Sequence, residues 1–377
     1  MRKTILWSVP ALLLGVLVFA RGETPPPNPL PETERGRREE ALVLLPLSVS
    51  GRGLGGGVFA QTPKRYQFSE PHMGTLFRIT LYAADEETAK RAAKAAFARA
   101  AELDRIMSDY KQTSELMQLC KKAGGPPVRV SEDLFTVLSR AQEVAKLTDG
   151  ALDVTVGPIV RMWRRARRTR EMPDPAELKK ALALVGYDKI RLNAKDRTVQ
   201  LLVMGMLLDL GAIAKGYAAQ MLLELLRRQG ISRALVAAGG DIAAGDPPPG
   251  EKGWKVGIAP LEDPNAKPVR YLLLKNAAVS TAGDAEQYVV IDGKRYSHIV
   301  DPKTGLGLTT RTSVTVVARD GTTADAWDTA LCVVGPERGL KLIEQIDGAA
   351  ALFVIGTEKG QVTHASKRWA QYEVTSP

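Results

Sequence analysis

The segment 209–217, Asp-Leu-Gly-Ala-Ile-Ala-Lys-Gly-Tyr, constrains the fold of this chain more than any other. An apolar run over 201–208 ends at an acidic residue. A glycine turn then leads into apolar positions at Ile213, Ala214, Tyr217, Met221, Leu225 and Leu226. That spacing predicts a strand, a tight turn and the start of a helix. A helix start exposes unpaired N–H groups and a partial positive charge, which suit a phosphate or another anion. The segment is not a Walker loop, because no Ser or Thr follows Lys215 and the upstream glycine is missing. Taken alone, it fits a plain structural strand-turn-helix as well as it fits an anion site.

The remaining pattern mixes strands and helices without strict alternation, which predicts an α+β fold. A strand is expected over 73–82. An amphipathic helix is expected over Glu86–Met107, with Ala89, Ala93, Ala96, Phe97, Ala100, Leu103 and Met107 on one face. Ser131 can cap a helix reaching about Leu147, with Gly150 beyond its end. Residues 153–160 read as extended, 176–185 as a short helix and 190–202 as a hairpin. Strands are expected over 234–237, Trp254–Ile258, 313–318 and 351–355, and Asp292-Gly293 marks a hairpin turn. Helices are expected over 323–334, started by Thr322 or Thr323, and over 337–345.

The 377 residues suffice for one large or two moderate domains. Six arginines between 161 and 170 account for most of the net charge of +10. The excess is therefore one patch, not a nucleic-acid-binding surface spread over the fold. Such a patch fits a solvated helix end, or an anchor for anionic lipid or an acidic partner. Residues 1–20 read as a signal peptide or signal anchor: Arg2 and Lys3 precede an apolar stretch too short to span a bilayer comfortably. Export follows, to the periplasm or to the outer side of the cytoplasmic membrane, with membrane association through this segment left open. Residues 21–64 read as a Pro/Gly-rich linker, in which the G-x-G-x-x-G match at 51–56 reflects composition. The two cysteines, Cys120 and Cys332, do not make a disulfide scaffold.

Three polar segments add chemistry. His298 stands at a strand end before the turn at Asp301-Pro302, where a histidine is either structural or a general base. Asp325, Asp328 and Thr329 share one helical face. They form either an exposed polar stripe or a set of hard oxygen ligands for Mg²⁺. In the segment 150–158, polar residues alternate with apolar ones and can line a flat ligand.

Taken in order, these segments resemble the ApbE family, the FAD:protein FMN transferases. The motifs are Met73-Gly74-Thr75, Met107-Ser108-Asp109-Tyr110 with Ser114-Glu115, the stretch 150–163, 209–217, Gly239-Gly240-Asp241, Trp254–Ile258, 297–305 and 325–329. The resemblance implies an ApbE-like, T-fold-related arrangement of mixed sheets packed with helices, as one catalytic domain over 65–377. It implies FAD contacts at Met73, Tyr110, Ala151, Leu152, Asp153, Asp209, Lys215 and Ile299. It implies Mg²⁺ ligands at the Ala212 carbonyl, Asp325, Asp328 and Thr329, with His298 as the base. The implied reaction moves FMN from FAD to a Ser or Thr hydroxyl of an exported flavoprotein, forming a phosphoester and releasing AMP. The same site would serve a Mg²⁺-dependent FAD pyrophosphatase, or a non-catalytic exported FAD-binding protein. The chain departs from the family at Ala282-Gly283-Asp284-Ala285, where Ser-Gly-Asp-Tyr is frequent. It also departs at Asp241, where Asn is frequent, and in the arginine run after Trp163.

Overall fold

The computed structural model describes residues 62–262, 266–283 and 287–374. The expected targeting segment, the linker up to residue 61 with its glycine-rich match, and positions 284 and 285 lie outside the described residues. Strands β1 (Lys64–His72) and β2 (Thr75–Ala83) form a hairpin through Met73-Gly74, whose φ angles are 50° and 74°. The strand expected over 73–82 is therefore shifted, because its first two residues make the turn; paired positive φ matches the twist of the flanking strands. Most β1 side chains are exposed, so no apolar alternation marks it in the sequence.

Helix α1 (Glu86–Met107) buries all seven expected residues and is capped by Asp85. Then come α2 (Glu115–Cys120), β3 (Val128–Arg129) and α3 (Glu132–Thr148), which Ser131 caps as expected. Residues 153–160 are not extended. Asp153 caps a single helical turn at Val154–Val156, and α4 (Gly157–Thr169) follows. Pro158 lies in the first turn of α4, where its missing N–H leaves no bond unmade. Next are α5 (Pro175–Leu182) and the hairpin of β4 (Ile190–Asn193) and β5 (Thr198–Leu201), to which β3 pairs.

The strand expected to run into the turn at 209 is corrected too, since 202–213 belong to no ladder. Met206, Leu208 and Leu210 are buried there. Their backbone is held otherwise: Leu208 N donates to Cys120 Sγ at 3.3 Å and Asp209 N to the Val154 carbonyl at 2.8 Å. Helix α6 (Ala214–Arg228) begins as expected, although Met221 and Leu225 are only half-buried.

The second half contains β6 (Ala234–Ala238), β7 (Asp241–Ala244), β8 (Trp254–Ile258), β9 (Arg270–Leu274) and β10 (Ala277–Gly283). The hairpin of β11 (Tyr288–Ile291) and β12 (Lys294–Ser297) turns at Asp292-Gly293. Then follow β13 (Thr312–Ala318), α7 (Gly321–Val334), α8 (Pro336–Ile343), β14 (Ala350–Thr357), β15 (Gly360–Ala365) and β16 (Glu373–Val374). Asp320 caps α7, accepting from Thr323 N at 2.9 Å, so Thr322 and Thr323 lie inside the helix and are not its cap.

The fold is α+β. An antiparallel sheet of eight strands runs β1-β2-β6-β7-β10-β13-β14-β15. Alternate residues of its strands enter two different cores. Val236, Ala238, Ala243, Ala278 and Val316 pack on the helix side with residues of α1, α6 and α7. Leu235, Ala237, Ile242, Val279 and Val317 pack on the opposite side with Trp254, Val256 and Leu272 from the small sheet β16-β9-β8. Burial on both faces explains why β6 reads as an unbroken apolar run. A third core joins α4 and α5 to the β11–β12 hairpin through Ile159, Trp163, Ala181, Val289 and Ile291.

Candidate active site and metal centre

The site forms where α6 crosses α7. A Cβ on Gly216 would run into the Gly321 carbonyl, and a Cβ on Gly321 into the Gly216 carbonyl. Only glycine permits this approach. It lets Gly216 N donate to Asp325 Oδ2 at 2.8 Å. The N–H that the helix start exposes at Gly216 is thus taken by the Asp325 carboxyl group.

Two sheet residues complete the cluster. Asp241 and Ser280 lie two residues from Ala243 and Ala278 along their strands and so face the helix layer. Ser280 Oγ stands 2.5 Å from Asp241 Oδ1 and 2.5 Å from Asp328 Oδ2. Asp241, Asp325 and Asp328 are buried, and each offers an oxygen within 4.8 Å of the others. The exposed-stripe reading of α7 therefore fails. Thr329 is half-buried and donates to Asp328 Oδ1 at 3.2 Å. Lys215 Nζ pairs with Asp241 at 2.5 Å and lies 3.8 Å from Asp325.

Three carboxylates share this one ammonium. Burial first, then Asp241, pushes Asp325 up to about 7 against the pull of Lys215. Burial, then Asp325, raises Asp328 well above the ordinary carboxylate range. Burial opposes the charge on Lys215, but Asp241 and Asp325 outweigh it and hold the amine protonated. Ser280 has one proton and touches two carboxylates, so its second contact requires a proton on a carboxyl group or a cation beside it. The donors are hard oxygens and the cluster lacks positive charge, which fits Mg²⁺.

The other sequence-derived residues lie in neighbouring groups. Met73 is at the β1–β2 turn, and Ala212 is in the turn before α6, packed on the main core. Ala151, Leu152 and Asp153 are buried, and Asp153 Oδ1 accepts from Thr155 N at 2.8 Å and Thr155 Oγ1 at 2.6 Å. Burial raises the Asp153 carboxyl against these bonds. Tyr110 is 52% exposed, with the Arg164 guanidinium 4.4 Å from its ring centroid. Asp209 accepts from Gly211 N at 2.8 Å and from Arg164 at 2.8 Å. Ile299 is buried. His298 Nδ1 lies 3.1 Å from the Gln287 carbonyl, which can only accept. Nδ1 is therefore the donor in this contact.

Asp241, Ser280 and Arg164 escaped the sequence reading as site residues. A signal for the first was present: Asp241 opens the apolar run Asp-Ile-Ala-Ala, where a charge needs a partner.

The ApbE family model matches residues 73–353. An FAD:protein FMN transferase of Klebsiella pneumoniae is 33% identical over 291 residues, covering 77% of this chain and 89% of the relative. One of Treponema pallidum is 34% identical over 306 residues, covering 77% and 84%. The solved structure of the flavin transferase ApbE from Vibrio cholerae superposes with a TM-score of 0.74 at 30% identity, covering 82% of this chain and 99% of that one. The fold, the ordered motifs and these similarities agree, and the chain belongs to the ApbE family.

Proposed function

We propose that this chain is an FAD:protein FMN transferase that needs Mg²⁺, is exported, and acts on a Ser or Thr hydroxyl of an exported flavoprotein. The observation that carries the reading is the buried Asp241–Asp325–Asp328 cluster with its single Lys215, set within a family scaffold whose relatives bear that name. Asp325 and Asp328 would hold the ion, with Thr329 and the Ala212 carbonyl beside them and Asp241 as an added donor. When bound, Mg²⁺ supplies positive charge to the pyrophosphate oxygens. Met73, Tyr110, Ala151, Leu152, Asp153, Asp209, Lys215 and Ile299 would seat the FAD. The acceptor hydroxyl attacks the phosphorus on the FMN side, the bond to the bridging oxygen breaks, and AMP leaves with that oxygen. His298 would take the hydroxyl proton, an effect of roughly 10²- to 10⁴-fold.

Among the described residues no helix is long and apolar enough to cross a membrane. The test incubates the purified chain with FAD and Mg²⁺, with and without a Thr-bearing acceptor domain, and measures AMP and protein-bound flavin. Acceptor-dependent AMP matched by bound flavin is expected. AMP without bound flavin would instead mark a pyrophosphatase, and neither product would mark a binding protein.

A further inference from the structure

The arginine run has a role that its composition hides. Along α4 its members divide: Arg165 and Arg168 are exposed, Arg167 donates to Gln287 at 2.8 Å, and Arg164 turns inward. The Arg164 side chain is 20% exposed. One Nη donates to Asp109 and the other to Asp209 at 2.8 Å, while the central guanidinium carbon lies over the Tyr110 ring, 4.4 Å from its centroid. Three separate segments thus meet on one side chain: the loop after α1, helix α4, and the approach to Lys215.

We propose that Arg164 is a positioning residue for the flavin nucleotide. It fixes the half-exposed Tyr110 ring as a platform for a flat heteroaromatic ring and ties that platform to the turn that leads to Lys215. The inference rests on the transferase reading, because Tyr110 matters only if FAD lies there. The chemistry asks for arginine specifically. A planar fork can bond two carboxylates edge-on and stack face-on at once, and an ammonium cannot. Tyr110 is 52% exposed, and both Asp209 oxygens have protein partners. The neighbouring carboxylates need Arg164 for charge as well: burial, then Asp209, raises Asp109, and Arg164 acts against both. The experiment must therefore separate orientation from neutralisation.

FAD binding to the full chain, without Mg²⁺, is measured by flavin fluorescence, beside thermal stability. Arg164→Met is expected to weaken FAD binding by roughly 10- to 100-fold, the scale of a small misplacement at a site. Arg164→Met with Asp109→Asn removes one of the stranded charges. It is expected to recover thermal stability and not affinity. Arg164→Lys, which keeps the charge, is expected to bind FAD more weakly than the wild type. Tyr110→Ala is expected to add little to Arg164→Met, since both remove one platform. Riboflavin and AMP as separate probes show which ring the platform holds: the probe weakened in step with FAD is the one. Affinity that returns together with stability in the double variant reduces Arg164 to a charge balance and overturns the proposal. So does wild-type affinity in Arg164→Lys. A wild-type chain that binds no FAD overturns the transferase reading and this inference together.

Discussion

Asp209 and Lys215 stand six residues apart in the chain, yet they belong to two differently balanced clusters of buried charge. In the first, Asp109 and Asp209 share Arg164, and the bonds come from loops and one face of α4. In the second, Asp241, Asp325 and Asp328 share Lys215, and the frame is two adjacent strands and two helices in glycine-to-glycine contact. The first lacks one positive charge and has an aromatic ring beside it. The second lacks two. A cluster short of two charges in a frame that cannot relax holds protons or a cation. A nearly balanced cluster beside an exposed ring serves better to orient a ligand. One turn of backbone thus joins two differently balanced clusters, because different elements close around its two ends.

The comparison breaks most visibly if the second cluster is not a metal site. Asp325→Ala or Asp328→Ala is expected to cut acceptor-dependent AMP release by about 10³-fold, the equivalent of several kcal/mol of lost charge stabilisation. Rates that stay near wild type in both variants would remove the functional contrast. Lys215→Met should cost about 3–5 kcal/mol of stability at pH 8 without metal, because it leaves buried carboxylates uncompensated. Denaturant titration with and without Mg²⁺ checks this, and recovery by Mg²⁺ is the expected mark of a cation-seeking cluster. Gly216→Ala tests the frame itself. It is expected to cost about 3 kcal/mol, near the upper end for overpacking, because the obstructing atoms include backbone that cannot swing aside.

A pH series sharpens the contrast at smaller amplitude. The folded Asp325 carboxyl titrates at about 7, and Asp328 is also raised. In the unfolded chain such groups titrate near about 4. Between those values the folded state binds more protons than the unfolded one, so metal-free stability should fall as pH rises from about 4 to 7. Mg²⁺ displaces the protons and should flatten the slope. A metal-free midpoint that rises across this window would contradict the protonated cluster.

Much of this was legible in the sequence, and the reasons for the exceptions are specific. Helix α1 was readable because one stripe of alanines with Phe97, Leu103 and Met107 repeats at helical spacing, and α3 because Ser131 marks its start. The carboxylate face of α7 was visible because Asp325 and Asp328 break an apolar helix. Helix α4 was missed because Pro158 reads as a breaker until its place in the first turn is known. The run over 201–208 looked like a strand because buried irregular backbone and buried ladders select the same side chains. Asp241, Ser280 and Arg164 act through partners 26 to 55 residues away in sequence, a distance at which no local pattern operates.

The smallest expected effect belongs to the first cluster and decides whether it is nearly balanced. Asp109 lies mostly buried beside Asp209, and burial followed by that neighbour raises its carboxyl despite Arg164. Its charged form is therefore disfavoured in the folded chain. Asp109→Asn removes the repulsion with Asp209 and keeps an oxygen that can accept from Arg164. The lost charge on the hydrogen bond and the relieved repulsion oppose one another, so the net change should stay within about 1 kcal/mol, the worth of one ordinary hydrogen bond. The same replacement at Asp325 would remove a member of a cluster that lacks two positive charges, and should change Mg²⁺ binding outright. A loss above about 3 kcal/mol for Asp109→Asn, the scale of breaking a buried ion pair, would show that the first cluster depends on its charges as strongly as the second.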